Sequence, residues 1–191
     1  MVLRETLFWR MHDLGQQILL LNQHQHLLGA RTLLRAAIET LAILIFLNQR
    51  TAAVVTGEFS FFAFDALTKQ LLLGSRAQGA SHMAINILTV LEKAERQHEG
   101  LKSMYERLSE SAHPNYDGVL YTYSSSDPEK YETNFSNRWA KLFGPEQEPA
   151  MTFIFAVFEH EYDKVWPESF EKLEGWLRDN DAQLEQQKHG I

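Results

Sequence analysis

Apolar residues recur at three- and four-residue steps from the start of the chain: Leu3, Leu7, Met11, Leu14, Ile18 and Leu21. That spacing predicts an amphipathic helix over 2–22. The polar stretch Asn22–His26 reads as a turn or a surface run. From Leu27 to Gln49 apolar residues lie on nearly every side, which predicts a helix packed on several faces in the middle of a bundle. Its most apolar stretch, Leu41–Leu47, is far shorter than the roughly 20 residues a membrane span requires. The β-branched run over 51–57 reads as a loop or a helix extension. Residues 58–73 restart a helix that Gly74 closes. Ser81 is the expected N-cap of a helix over 82–98, Gly100 a break, and 101–112 a further helix that Pro114 stops. Residues 114–134 hold four of the six tyrosines and two of the five prolines. They are expected to form a long loop insertion, with a short extended piece at Val119–Tyr123. Residues 135–143 read as helical. Pro149 opens a last helical region over 150–187, which Pro167 breaks or kinks, and residues 188–191 form a frayed tail.

These elements predict an all-α fold, an antiparallel bundle of about five or six helices in a single domain over 1–191. The composition agrees: 45% hydrophobic residues in 191 suffice for a core without disulfide or metal staples. The chain has no cysteine, which excludes thiolate metal sites and a cysteine nucleophile. The same absence, and charges where a signal peptide has its apolar run, predict a cytoplasmic protein with no membrane segment. The net charge of −7 is uneven: residues 1–113 carry +1 and residues 114–191 carry −8. That balance argues against non-specific nucleic-acid binding by the C-terminal part, while the near-neutral N-terminal part is free to meet RNA locally.

Two E-x-x-H strings, Glu95–His98 and Glu110–His113, have the form used in di-iron bundles. They sit on adjoining helical pieces, and neither a continuous helix nor a hairpin at Gly100 gathers them at one metal. No metal or other cofactor is expected. Glu159, Glu161 and Asp163 read as a solvated acidic face. Phe59, Phe61, Phe62 and Phe64 read as core or dimer-interface aromatics.

The central helix carries Arg31, Arg35 and Glu39 on one stripe, four residues apart. An arginine in an apolar helix requires a partner, and Glu39 is the local one for Arg35. The pair either fixes helix register or orients a histidine from another helix. The segment 105–115 supplies one: Tyr105, Arg107, Ser109 and His113, with Pro114 following. Tyr105, Ser109 and His113 fall four apart, whereas Arg107 and His113 lie about 240° apart on a regular helix.

The Arg107–His113 spacing resembles the R-x(4–6)-H signature of the HEPN superfamily of helical nucleotide-binding domains. The longer string Y-x-x-L-S-x-x-x-H-P, with the R-x-x-x-E of Arg35 and Glu39, resembles a bacterial family of HEPN-like proteins over roughly residues 15–115. The resemblance implies an antiparallel helical bundle that dimerises and cuts RNA without a metal, as a toxin or phage-defence effector. RNA, a cognate antitoxin or other protein, and a second copy of the chain are the partners it implies. Arg107 would then contact the scissile phosphate and His113 would exchange protons, with Ser109, Arg35, Glu39 and Tyr105 in support. Leu108 stands where active members commonly carry a polar residue after the arginine. The alternative is a non-catalytic binding or dimerisation module whose Arg/Glu/His cluster is structural.

Overall fold

A computed structural model describes residues 2–188. The fold is all-α, with seven α-helices and one two-stranded hairpin among the described residues. Helices α1 (Val2–Gln23) and α2 (Leu27–Val55) form an antiparallel hairpin around a tight turn. α3 (Phe61–Leu73), α4 (Ile87–Glu95), α5 (Leu101–Ala112), α6 (Trp139–His160) and α7 (Trp166–Lys188) complete the set. Helix α2 packs against all six others, as its all-round apolar pattern requires. Its residues Leu34, Ile38, Leu41, Ile45 and Leu47 are fully buried. The predicted stripe of α1, from Leu3 to Ile18, is its buried face. No described helix is long and apolar enough to cross a membrane.

Several boundaries depart from expectation. Residues 51–55 extend α2, because Thr51 and Val54 are core residues and the Thr51 hydroxyl returns to the Leu47 carbonyl. The helix expected from Ser81 begins only at Ile87, capped by Asn86, whose side chain accepts from the Leu88 N–H. Residues 74–86 are an irregular strap whose only bridge pairs Ser75 with Met83. Gly100 separates α4 from α5 with φ +98°, a conformation that side-chain-bearing residues rarely adopt.

The segment 114–134 is organised, not an open loop. Residues Tyr116–Tyr121 form a π-helical turn, and strand β1 (Ser124–Asp127) pairs antiparallel with β2 (Glu132–Phe135). The extended piece therefore lies after Val119–Tyr123 rather than on it. Gly118 sits directly against the His113 carbonyl, where any Cβ would collide. The Arg138 guanidinium ties the hairpin to α6 by donating to the Tyr121 and Ser124 carbonyls.

Pro149 does not open the last helical region. α6 starts ten residues earlier, at Trp139, and runs through Pro145 and Pro149. The burial of Trp139, Gln147, Ile154 and Phe158 outweighs the two missing backbone donors. The break expected at Pro167 appears upstream as a π-helical turn, Glu161–Val165. A proline at 167 cannot donate to the carbonyl four residues back, and the wider turn absorbs the mismatch. Of the tail expected at 188–191, Lys188 still ends α7 and residues 189–191 lie outside the described residues.

Candidate functional site

The two motif helices meet. α5 runs antiparallel to α2, which sets Tyr105 opposite Arg35 and Ser111 opposite Arg31. Arg35 Nη2 donates to the Tyr105 hydroxyl at 2.7 Å, and that hydroxyl donates to Glu39 Oε1 at 3.1 Å. Arg35 and Glu39 are themselves 3.5 Å apart. The three side chains thus form one closed polar cluster, with the Arg35 guanidinium also 4.9 Å from the Tyr105 ring centre. Its Nε has no partner.

Arg31 pairs elsewhere. It is 2% exposed, donates to Ser111 and to Glu146 on α6, and lies over the Phe143 ring. Burial pushes its pKa below the ordinary arginine value, and Glu146 opposes that shift. Arg107, nearby on α5, adds a further small push downward.

Arg107 and His113 are both exposed, and no side-chain hydrogen bond or ion pair engages either among the described residues. Arg107 lines a small crevice with Arg31 and Glu146. His113 is the C-cap of α5 with extended backbone, as Pro114 requires. It therefore does not meet Glu39, whose partners are Arg35 and Tyr105. The Ser109 hydroxyl is buried without a partner. Leu108 is 2% exposed, so the position after the motif arginine belongs to the core. Arg107 and His113 are six residues apart, about 9 Å along the helix axis and on different faces. On a regular helix that spacing would keep them from a common phosphate.

The carboxylates of the two E-x-x-H strings have separate partners. Glu95 accepts from the Gly100 and Lys102 N–H groups at the start of α5, which pulls its pKa below the usual carboxylate value. Glu110 accepts from Asn115. Among the described residues no three His, Cys, Asp or Glu side chains cluster to hold a metal ion.

Sequence reasoning missed one polar centre. Glu161, expected on a solvated face, is fully buried. Its Oε2 accepts from Asn48 Nδ2 at 2.7 Å, and its Oε1 accepts from Gln97 Nε2 and from His98 Nε2, each at 2.7 Å. Asn48, a lone amide on the buried face of α2, was the signal: such a group requires a polar partner. Glu161 supplies it from the buried stripe of α6, three residues beyond Phe158 and seven beyond Ile154.

A second cleft lies over the Arg35 cluster, between α1, α2 and the 74–86 strap, with a volume of about 560 Å³. A third, about 420 Å³, is mainly apolar and runs between α1 and α6 past Phe8, Met11, Phe155 and Phe158. The chain matches no family model, and no curated protein or solved structure is significantly similar to it.

Proposed function

We propose that the protein cuts RNA as a metal-independent endoribonuclease of the toxin or phage-defence kind, working as a pair of chains. The observation that carries this reading is the state of Arg107 and His113: a guanidinium and an imidazole, both exposed and unengaged, on one helix. Arg31, Arg35 and His98, by contrast, are each tied to side chains on other helices.

The surface beside His113 suits RNA. Tyr116 and Tyr121 stack at 5.9 Å on the π-helical turn that follows it, and Arg138 lies 5.3 Å from the Tyr121 ring centre. Tyr116 is 65% exposed, and exposed aromatic faces accept unpaired bases without sequence preference. In the reaction, one imidazole removes the 2′-hydroxyl proton as that oxygen attacks phosphorus. The bond to the 5′-oxygen breaks, and a second imidazole protonates the leaving oxygen. Arg107 offsets the charge on the non-bridging oxygens. A homodimer placing α5 against its partner's α5 supplies both imidazoles and closes the distance between Arg107 and His113.

The test is RNA cleavage in EDTA by the wild type, His113→Ala and Arg107→Ala, with sedimentation to establish the dimer. The expected outcome is cleavage by the wild type and a loss of about 100-fold or more in each variant. His113→Ala should fold with stability within about 0.5 kcal/mol of the wild type, because its imidazole touches no partner. Absence of cleavage by the folded dimer, or full activity of His113→Ala, overturns the reading.

The second reading, a non-catalytic binding or dimerisation module, is favoured by one observation. Arg35, Tyr105 and Glu39 satisfy one another, and Leu108 is committed to the core. An inactive wild type that still dimerises supports it.

A further inference from the structure

The chain carries a net charge of −7, yet three of its arginines line a single cleft. Arg10 comes from α1, Arg35 from α2 and Arg76 from the strap between α3 and α4. Glu39 is the one carboxylate among the lining residues, and Arg35 and Tyr105 already occupy it. Arg10 donates through Nε to the Thr40 hydroxyl at 3.1 Å, and neither Arg10 nor Arg76 has an ion-pair partner among the described residues. Two guanidinium groups are thus left facing a concave space without a counter-charge.

Leu7, Ile43, Leu71 and Ile85 form an aliphatic side of the wall, beside the polar Thr40 and Gln70. At about 560 Å³ the space is of the size that small organic ligands fill. A phosphate group presents oxygens in several directions, which suits guanidinium groups arriving from three separate elements, whereas one arginine fork satisfies a carboxylate. We infer that this cleft binds a small amphipathic phosphate, a phosphomonoester head on an apolar body. The head sits among Arg10, Arg35 and Arg76, and the body lies along the aliphatic wall. The Tyr105 hydroxyl and Glu39 hold Arg35 in place before the ligand arrives, and Thr40 does the same for Arg10. Neither Arg107 nor His113 lines this cleft.

The probe is hexyl phosphate on the full chain, followed by calorimetry, with hexanoate and inorganic phosphate titrated in parallel. Arg10→Gln and Arg76→Gln are the variants, because both head groups are exposed and their loss leaves the core intact. The expected result is saturable binding of one hexyl phosphate per chain, about tenfold or more tighter than hexanoate or inorganic phosphate. Each variant should weaken it by about tenfold while keeping the wild-type circular dichroism spectrum. Three outcomes overturn the proposal: no saturable binding up to about 10 mM, a concentration that would miss only negligible affinity; equal affinity for all three probes; or unchanged affinity in both folded variants. RNA cleavage by the same preparations reports on Arg107 and His113 alone, so the two proposals fail separately.

Discussion

Glu161→Gln is the substitution that most directly tests how the core is held. The wild-type carboxylate is fully buried at the junction of α6 and α7 and receives three side-chain donors, from Asn48, Gln97 and His98, all at 2.7 Å. Glutamine keeps the size but replaces one acceptor oxygen with a donor. Either Asn48, or Gln97 and His98 together, then face an NH2 group. The remaining bonds also lose their charge assistance, and such bonds contribute about 1.5–3 kcal/mol each. His98 keeps 18% of its side chain exposed, so water can replace part of its loss. Asn48, at 2% exposed, is out of reach of water and keeps only its 3.1 Å bond to the Glu161 backbone carbonyl. The expected cost is therefore about 3–5 kcal/mol, one buried donor left facing a donor plus the charge assistance lost from the bonds that remain. For a chain of this length that corresponds to a fall in melting temperature of about 6–20 °C. Urea unfolding followed by circular dichroism, with the midpoint compared at equal slope, reads the difference. A loss under about 1 kcal/mol would refute the reasoning, because a carboxylate serving three buried donors cannot be neutralised so cheaply.

Two further predictions concern the motif helices. Tyr105→Phe removes the hydroxyl that links Arg35 to Glu39, leaving those two groups 3.5 Å apart and about a third exposed. Water and direct pairing replace most of the loss, so urea unfolding should show about 1 kcal/mol of destabilisation. Glu95 has a folded pKa lowered from 4.5, chiefly by the N–H groups of Lys102 and Gly100. A lowered carboxylate value stabilises the fold above 4.5 and loses that contribution as pH falls through the folded value. The melting-temperature gap between wild type and Glu95→Gln should accordingly be full at pH 6 and shrink below 4.5; a gap that does not change with pH would assign the contribution to packing.

Much of the bundle was legible because helix signals are local. The three- and four-residue steps of α1, the all-round apolar run of α2, Gly100 and Pro114 each act over a turn or two. Residues 101–112 accordingly became α5 with the boundaries the sequence indicates. Errors arose where distant packing overrides local preference. Pro149 reads as a helix start, yet Trp139 buries its ring against Phe143 and Tyr123 and begins α6 earlier. Ser81 is a good cap by residue type, but the strap residues ahead of Ile87 line a cleft instead of continuing a helix.

By itself, then, the sequence determined the all-α architecture, the central place of α2 and the pairing of Arg35 with Glu39, all consequences of periodicity within one segment. Only the tertiary structure decided which distant groups meet. Asn48 and Glu161 are 113 positions apart, Arg35 and Tyr105 are 70, and Arg10 and Arg76 converge from α1 and the strap. The physical reason is rotational. A helix pattern gives the apolar face to within a residue or two, but a polar side chain's partner depends on the angle and register at which two helices dock. Glu161 shares a helix face with Ile154 and Phe158, and it is the docking of that face against α2 that takes it from the expected solvated surface into the core.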